Sequence, residues 1–476
     1  MAPSRNDLNA AIAVTRFGLG ARPGEIAQAS RNPRDYLMDQ IRIEGADLPQ
    51  GDSETTAQRL VEFRAYRQGI ERAKATAAMS DTAPDPVKGA QNLIRENTGG
   101  DSLARTRLAI ATEAGFRERW ALFWANHFTV SATKVQVATL VGPYEAEAIR
   151  PHVFGHFADL LAAAETHPAM LLYLDQAQSM GPNSPAARAV ARGATRRAPA
   201  DIPPPRRGTG LNENLAREIL ELHTVGIDGG YSQADVTEFA RALTGLGVAG
   251  PRDFDAATPV VFREFAHEPG ERTVMGVRYS QTGRVQAGII LRDLAAKPQT
   301  ARFVCTKIAR HFVADDPPAA LVSQLASVWM ASGGDLARVA EALVEAPEAW
   351  RPDLPKFKTP YEFVVSSYRA LGLQPRGLGQ LAILTTLGQR PFAAPSPKGW
   401  ADEAGPWISS DALVKRMQFA QAFAVTAGPN VQDPNALARE TLGAHLSTAS
   451  ATAISRAESR AEAVAILLMT PEFQRR

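Results

Sequence analysis

The sequence holds one cysteine, Cys305, among 476 residues. A lone thiol cannot close an intramolecular disulfide, and a zinc site built only from thiolates is excluded with it. Long apolar runs are also missing. The longest, Ala463 to Met469, falls far short of the ~20 residues a membrane-spanning helix requires, so no membrane span is expected. Charge of one sign is not in excess: 52 Lys and Arg against 50 Asp and Glu leave a net charge of +2. No global field therefore draws the chain to nucleic acid or to an anionic bilayer. The start, Met1-Ala2-Pro3-Ser4-Arg5-Asn6-Asp7-Leu8, has no apolar stretch after a basic one, which predicts a cytoplasmic protein without a secretory signal. No Gly-x-Ser-x-Gly elbow or phosphate-binding loop occurs. Phe17 to Gly24 is glycine-rich, but Pro23 and the lack of a preceding strand argue against a dinucleotide loop.

What is present is helical periodicity. Between Arg105 and Phe128, apolar side chains at Leu108, Ile110, Ala111, Phe116, Trp120, Phe123 and Trp124 recur mostly at spacings of three and four, which puts a wide apolar stripe on one face. Cys305 lies in such a pattern and reads as a buried structural thiol. Thr359-Pro360-Tyr361-Glu362 and Ser459 with Glu462 read as capping boxes, and Ser232 with Asp235 as a third helix start. Proline follows a break at His167-Pro168, Lys297-Pro298, Ala346-Pro347 and Thr470-Pro471, as expected of helix-to-helix corners. The fold class expected is mainly α: packed helical hairpins with one small β-hairpin insertion. We expect an N-terminal helical segment over residues 1–72, a mobile connector over 73–100 and a main helical body over 101–476. Within that body, the basic stretch 181–210, where Asp201 is the one acid, reads as a disordered loop. Residues 258–280, rich in strand formers, read as the β-hairpin.

With one cysteine, any metal site must use histidine and carboxylates. Four patches could carry chemistry. His127 ends a very apolar helix beside Asn126, where it could cap the last carbonyls or serve as a ligand or base. On the helix from Asn212 to His223, Asn214, Glu218 and Glu221 share a face at i, i+4 and i+7. Glu218 and His223, five apart, sit awkwardly for shared ligation, and Arg217 with Glu221 is an ordinary surface pair. His152 and His156 have the i, i+4 spacing of a metal pair, weakened by Gly155. His167 is placed as an N-cap, and Asp175 ends an apolar segment where it needs a partner if buried.

Several blocks are similar to the bacterial family called domain of unknown function 1800. They are Trp124 to Ser131 (WANHFTVS), His167 to Asp175 (HPAMLLYLD), Leu211 to Gly226 (LNENLAREILELHTVG), Asp228 to Gly245 (DGGYSQADVTEFARALTG), His267 to Gly270, Lys307 to Phe312 (KIARHF), Ser396 to Trp400 and Pro471 to Phe473. The resemblance spans nearly the whole chain. It implies a large bacterial protein without an assigned reaction. It also implies a gene neighbour from a second family, domain of unknown function 1501, which resembles alkaline phosphatases and sulfatases and often carries an export signal. The family's recurring polar residues fall here on Asn126, His127, Asp175, Asn214, Glu218, His223 and His267. Three positions depart from the family pattern: Lys297 before Pro298, Leu246 after Thr244-Gly245, and Gln176 after Asp175. Many relatives carry export signals, so passage to the periplasm with a partner is a further expectation.

Two functions follow as expectations. One is a binding or accessory partner of the exported hydrolase-like neighbour. The other is a metal-dependent hydrolase in which His127, His223 and His267 bind a divalent metal and Asp175 or Glu218 acts as base.

Overall fold

The computed structural model describes residues 4–51, 54–77, 86–196, 210–250, 259–353 and 356–476. Eight helices carry the argument below: α1 (Gly100–Ala111), α2 (Gly115–His127), α3 (Phe157–Thr166), α4 (Asn214–Glu218), α5 (Pro298–Phe312), α6 (Pro360–Ala370), α7 (Ser410–Ala427) and α8 (Arg460–Met469). The fold is mainly α. Among the described residues, its strands form two antiparallel pairs, β1 (Leu246–Val248) with β2 (Val260–Phe262) and β3 (Arg272–Val274) with β4 (Val277–Tyr279).

Apolar side chains gather into two cores. The first centres on α2, whose Phe116, Trp120, Phe123 and Trp124 are all buried. Phe17, Phe116, Trp120 and Phe312 pack there with centroids 5.7–6.3 Å apart. Each fully buried ring of this kind contributes roughly 1.5–3 kcal/mol. The second core packs α6, α7 and α8 through Phe363, Phe419, Val464 and Leu467. Cys305 is buried in the first, and burial pushes its thiol up. A short backbone ladder pins the tail to the segment before α6: Lys356 and Arg476 exchange N–H···O bonds of 2.9 and 2.8 Å, and Lys358 N–H donates to the Gln474 carbonyl at 2.9 Å.

Local signals set most helix starts. Thr359 and Glu362 form a reciprocal capping box, as do Ser232 and Asp235. At α8 only half of the expected box exists: Ser459 accepts the Glu462 N–H, but the Glu462 carboxylate takes the Glu458 N–H instead. Pro168 and Pro298 open helices, with His167 accepting the Ala169 N–H as an N-cap.

The described residues add detail to three expected segments. The connector over 73–100 is largely helical: residues 73–77 end the helix Thr56–Ala77, and Pro86–Ile94 leads through a π turn, Arg95–Gly99, into α1. Burial of Leu93 and a Thr98 hydroxyl bond to the Ala138 carbonyl (2.7 Å) tie this stretch down; residues 78–85 lie outside the described ones. In the basic stretch 181–210, Pro185–Arg196 is a helix, and 197–209 lie outside the described residues. Ser184 and Pro185 are a helix start, and Asn183 is clamped onto both oxygens of Glu268 at 2.7 and 2.6 Å. The expected hairpin within 258–280 is made by β3 and β4. β2 turns away to pair with β1, while β3 and β4 close on Met275-Gly276, both at positive φ, as a tight two-residue turn requires.

Candidate functional site

Where the two cores meet, a cavity of about 110 Å³ is walled by α2 on one side and the start of α6 on the other. Arg119, Leu122, Ala125 and Asn126 come from α2; Thr359, Tyr361 and Glu362 come from α6 and its cap. A cleft between two packed bodies is a usual place for a ligand. His311, in the last turn of α5, reaches this cavity, as does Asp402 from the loop Ser396 to Asp402. His311 Nδ1 lies 2.6 Å from Asp402 Oδ1, and His311 Nε2 is buried with no hydrogen-bond partner. An ionised Asp402 can only accept, so the ring carries its proton on Nδ1 and presents a lone pair at Nε2.

Charge around the pair is arranged in layers. Burial lowers the His311 imidazole, with Asp402 pulling the other way and Arg476 and Arg119 adding to the lowering. Burial alone would raise Asp402, but His311, Lys356 and Arg476 hold it below the ordinary carboxylate range. Glu362 bridges Arg119 and Arg476, the latter at 3.0 Å, and Arg476 also donates to the His311 carbonyl at 2.7 Å. Despite burial, those two guanidiniums hold Glu362 far below its usual range. Asn126 clamps the loop that brings in Asp402: its amide donates to the Trp400 carbonyl (2.9 Å) and accepts the Trp400 N–H (2.8 Å).

One turn back along α5, Lys307 shares the His311 face at i, i+4. It leads to a second polar group inside the first core. Lys307 Nζ is 2.9 Å from His127 Nδ1, and His127 Nε2 is 3.2 Å from the His223 carbonyl. These partners set the tautomer: Nδ1 accepts from Lys307 and Nε2–H donates to the carbonyl. Burial, then Lys307 and His223, lowers His127 well below the ordinary imidazole value. Lys307 is itself pushed down to about 8, chiefly by burial. His223 Nδ1 sits 2.7 Å from Glu165 Oε1, both side chains fully enclosed. The contact lacks hydrogen-bond alignment, and neither nitrogen of His223 nor either oxygen of Glu165 has an aligned partner. His223 ends a π turn, Ile219–His223, that continues α4. A π turn closes over five residues, so Glu218 and His223, awkward on an α-helix, come onto one side. Glu218 is half-buried and its carboxyl is raised, by burial first, with His223 opposing.

The remaining sequence candidates are elsewhere. Asp175 is half-exposed at positive φ and pairs with Lys134 at 2.6 Å. Glu221 bonds the Tyr231 hydroxyl at 3.3 Å, and Asn214 is exposed, its N–H donating to Asn212. His267 is buried against Phe262 and bonds the Thr244 carbonyl at 2.8 Å, so its partners are not those of His127 and His223. His152 and His156 do not share a helix: one ends a short 3-10 turn and the other caps α3. Among the described residues, no group of three His, Cys, Asp or Glu side chains is placed to hold a metal ion. No described helix is long and apolar enough to cross a membrane.

The chain matches the family described as protein of unknown function (DUF1800) over residues 12–475. It belongs to that family. No curated protein and no solved structure matches it. For this DUF1800 chain, reasoning from sequence named His127, His223 and Asn126 but missed Glu165, Lys307, His311 and Asp402. A signal existed for three of them. Glu165 is a carboxylate on the buried side of an apolar helix, and Lys307 with His311 recurs at i, i+4 in an amphipathic pattern. Nothing local marks Asp402, which is 91 residues from His311.

Proposed function

We propose that the cavity between the two cores is the site of a hydrolytic reaction in which His311 is the general base and Asp402 its positioning partner. The observation that carries this reading is the 2.6 Å contact of Asp402 with Nδ1 beside a buried, unpartnered Nε2, in a side chain that lines the cavity. A water at Nε2 gives up a proton as its oxygen attacks an acyl carbon; the imidazolium then returns that proton to the leaving group. Asp402 keeps the ring in the right tautomer and balances the imidazolium. Burial keeps His311 neutral, and therefore a base, at neutral pH. Hydrolysis of a series of p-nitrophenyl esters tests the reading. His311→Ala and Asp402→Asn are expected to lose about 100-fold or more, with helical content retained. Wild-type rates in both folded variants overturn it.

A second reading, docking to the hydrolase-like DUF1501 partner, is supported by one feature. On α7, Leu413, Val414, Met417 and Val425 are 37–69% exposed, beside a groove shared with Ile466 and Met469 of α8. Contiguous exposed apolar surface of this kind marks interaction sites. Co-expression followed by co-purification, lost in Val414→Glu/Met417→Glu, is the expected result; failure of the wild-type pair to co-purify ends it.

A further inference from the structure

A larger cavity, of about 730 Å³, lies beside the cavity of about 110 Å³ at His311, and Arg105, Glu145 and Phe392 line both. These three side chains form a fixed partition. Arg105 Nε lies 3.0 Å from Glu145, and the fully buried Arg150 holds Glu145 in turn at 2.7 Å. The Arg105 guanidinium is stacked between the rings of Tyr361 and Phe392, 5.4 and 5.1 Å from their centres. Phe392 has φ +53, which a bulky L side chain adopts only where its surroundings enforce it, and such residues cluster at ligand clamps. Here the backbone is pinned on both sides. The Ala132 N–H donates to the Phe392 carbonyl at 2.8 Å, and the Ser131 hydroxyl donates to the Ala394 carbonyl at 2.8 Å.

The two cavities differ in size and in chemistry. An apolar cavity of about 150 Å³ takes benzene, so a space of about 110 Å³ takes about four heavy atoms. Leu19, Leu122, Val130, Val141 and Ala394 give it apolar surface, and Arg119 and Glu362, which also line it, are taken up with each other. The larger cavity has the size of a small-molecule site. Gln50, Thr55, Asn97 and Arg107 put hydrogen-bond donors and acceptors on its wall. A substrate whose reacting bond lies at His311 outgrows the small cavity within a few atoms and must pass the partition. Its apolar end belongs in the small cavity, where a hydroxyl would find few partners, and its polar end in the larger one.

We infer that the substrate is an ester of a short-chain acid with a larger, hydroxyl-bearing alcohol, and that Phe392 is the wall that limits acyl length. The acyl group fills the small cavity and the alcohol lies beyond the partition. Water oxygen bonds to the acyl carbon, the bond from that carbon to the alkoxide oxygen breaks, and the proton taken up by His311 passes to the departing alkoxide. This inference rests on the hydrolytic reading of His311.

Rates of the full chain on p-nitrophenyl acetate, butyrate and octanoate test it. The wild type favours acetate over octanoate in kcat/KM by about tenfold or more, the discrimination that even one methylene brings in a closed apolar pocket. Phe392→Ala joins the two spaces and raises the octanoate-to-acetate ratio by about tenfold or more. Ala125→Val adds bulk to the small cavity from α2 and lowers the butyrate-to-acetate ratio by a similar factor. It carries the test should Phe392→Ala fail to fold. A variant that is merely damaged loses every ester alike and leaves both ratios where they were. For the alcohol end, 6-O-acetylglucose is hydrolysed with a higher kcat/KM than ethyl acetate. A wild type that favours octanoate, ratios unmoved in the folded variants, or ethyl acetate preferred to the sugar ester overturns the inference. Each of those results leaves the hydrolytic reading standing so long as His311→Ala abolishes the rate. A wild type that hydrolyses none of these esters overturns both.

Discussion

Glu165 and His223 place two ionisable groups, fully enclosed, in an apolar interior with no aligned hydrogen bond. Burying polar groups of this kind is costly unless they find partners. Removing one member leaves the other without its neighbour in the interior, so Glu165→Gln is expected to cost about 1–3 kcal/mol. Glu165→Leu/His223→Leu is expected to cost less than the two single changes together, and denaturant midpoints around this double-mutant cycle measure the coupling. Additive costs would show that the two side chains do not act as a pair. His223 was visible in the sequence as a histidine in an apolar segment. Its partner was not, because 58 residues separate them and helix periodicity shows only which face a carboxylate takes, not what it meets there.

Helix starts were legible because capping is local: Thr359 with Glu362, and Ser232 with Asp235, satisfy orphan N–H groups within four residues of chain. Strand pairing was not. β2 reads as a good strand in isolation, but its partner depends on which edge the chain presents, and β1 lies upstream of it. The loop from Ser396 to Asp402 is the element on which the proposed chemistry turns. Gly399 sits at φ +82, and a Cβ there would stand 2.5 Å from the Asn126 carbonyl oxygen and 2.7 Å from its Oδ1. Gly399→Ala therefore strains the backbone and breaks the Asn126 clamp on Trp400. We expect it to lower stability by about 1–3 kcal/mol and to slow ester hydrolysis by displacing Asp402. A thermal melt with a parallel rate measurement checks both. An unchanged melting temperature would mean that the loop is free to move.

At the scale of the whole molecule, buried ionisable groups shape stability against pH. Burial lowers His127, His167 and His311, so below about pH 6.5 the unfolded chain takes up protons that the native state refuses. Stability falls on that side as pH drops. Lys358 acts in a second window: enclosed beside Phe473 and bonded to Ser366 at 3.1 Å, it is pushed down to about 7 from 10.5, chiefly by burial. Between those values the unfolded chain holds the extra proton, and stability rises with pH. The rise ends near pH 10, where buried tyrosines such as Tyr144 and Tyr361, raised by burial, keep protons that the unfolded chain loses. Urea midpoints at pH 7, 8.5 and 10 are expected to increase, and Lys358→Met to flatten the increase. An equal slope in that variant would remove Lys358 as its source.

By itself the sequence determined the mainly helical class, the helix starts, the burial of Cys305 and the family, because these depend on residue type and short spacing along one chain. Tertiary structure alone decided that His127 faces Lys307, that His223 faces Glu165 and that His311 meets Asp402 at a cavity between two cores. Each of those contacts joins helices or loops distant in sequence. Side chains far apart along the chain become neighbours only once apolar faces have packed, and no local pattern records which faces those will be.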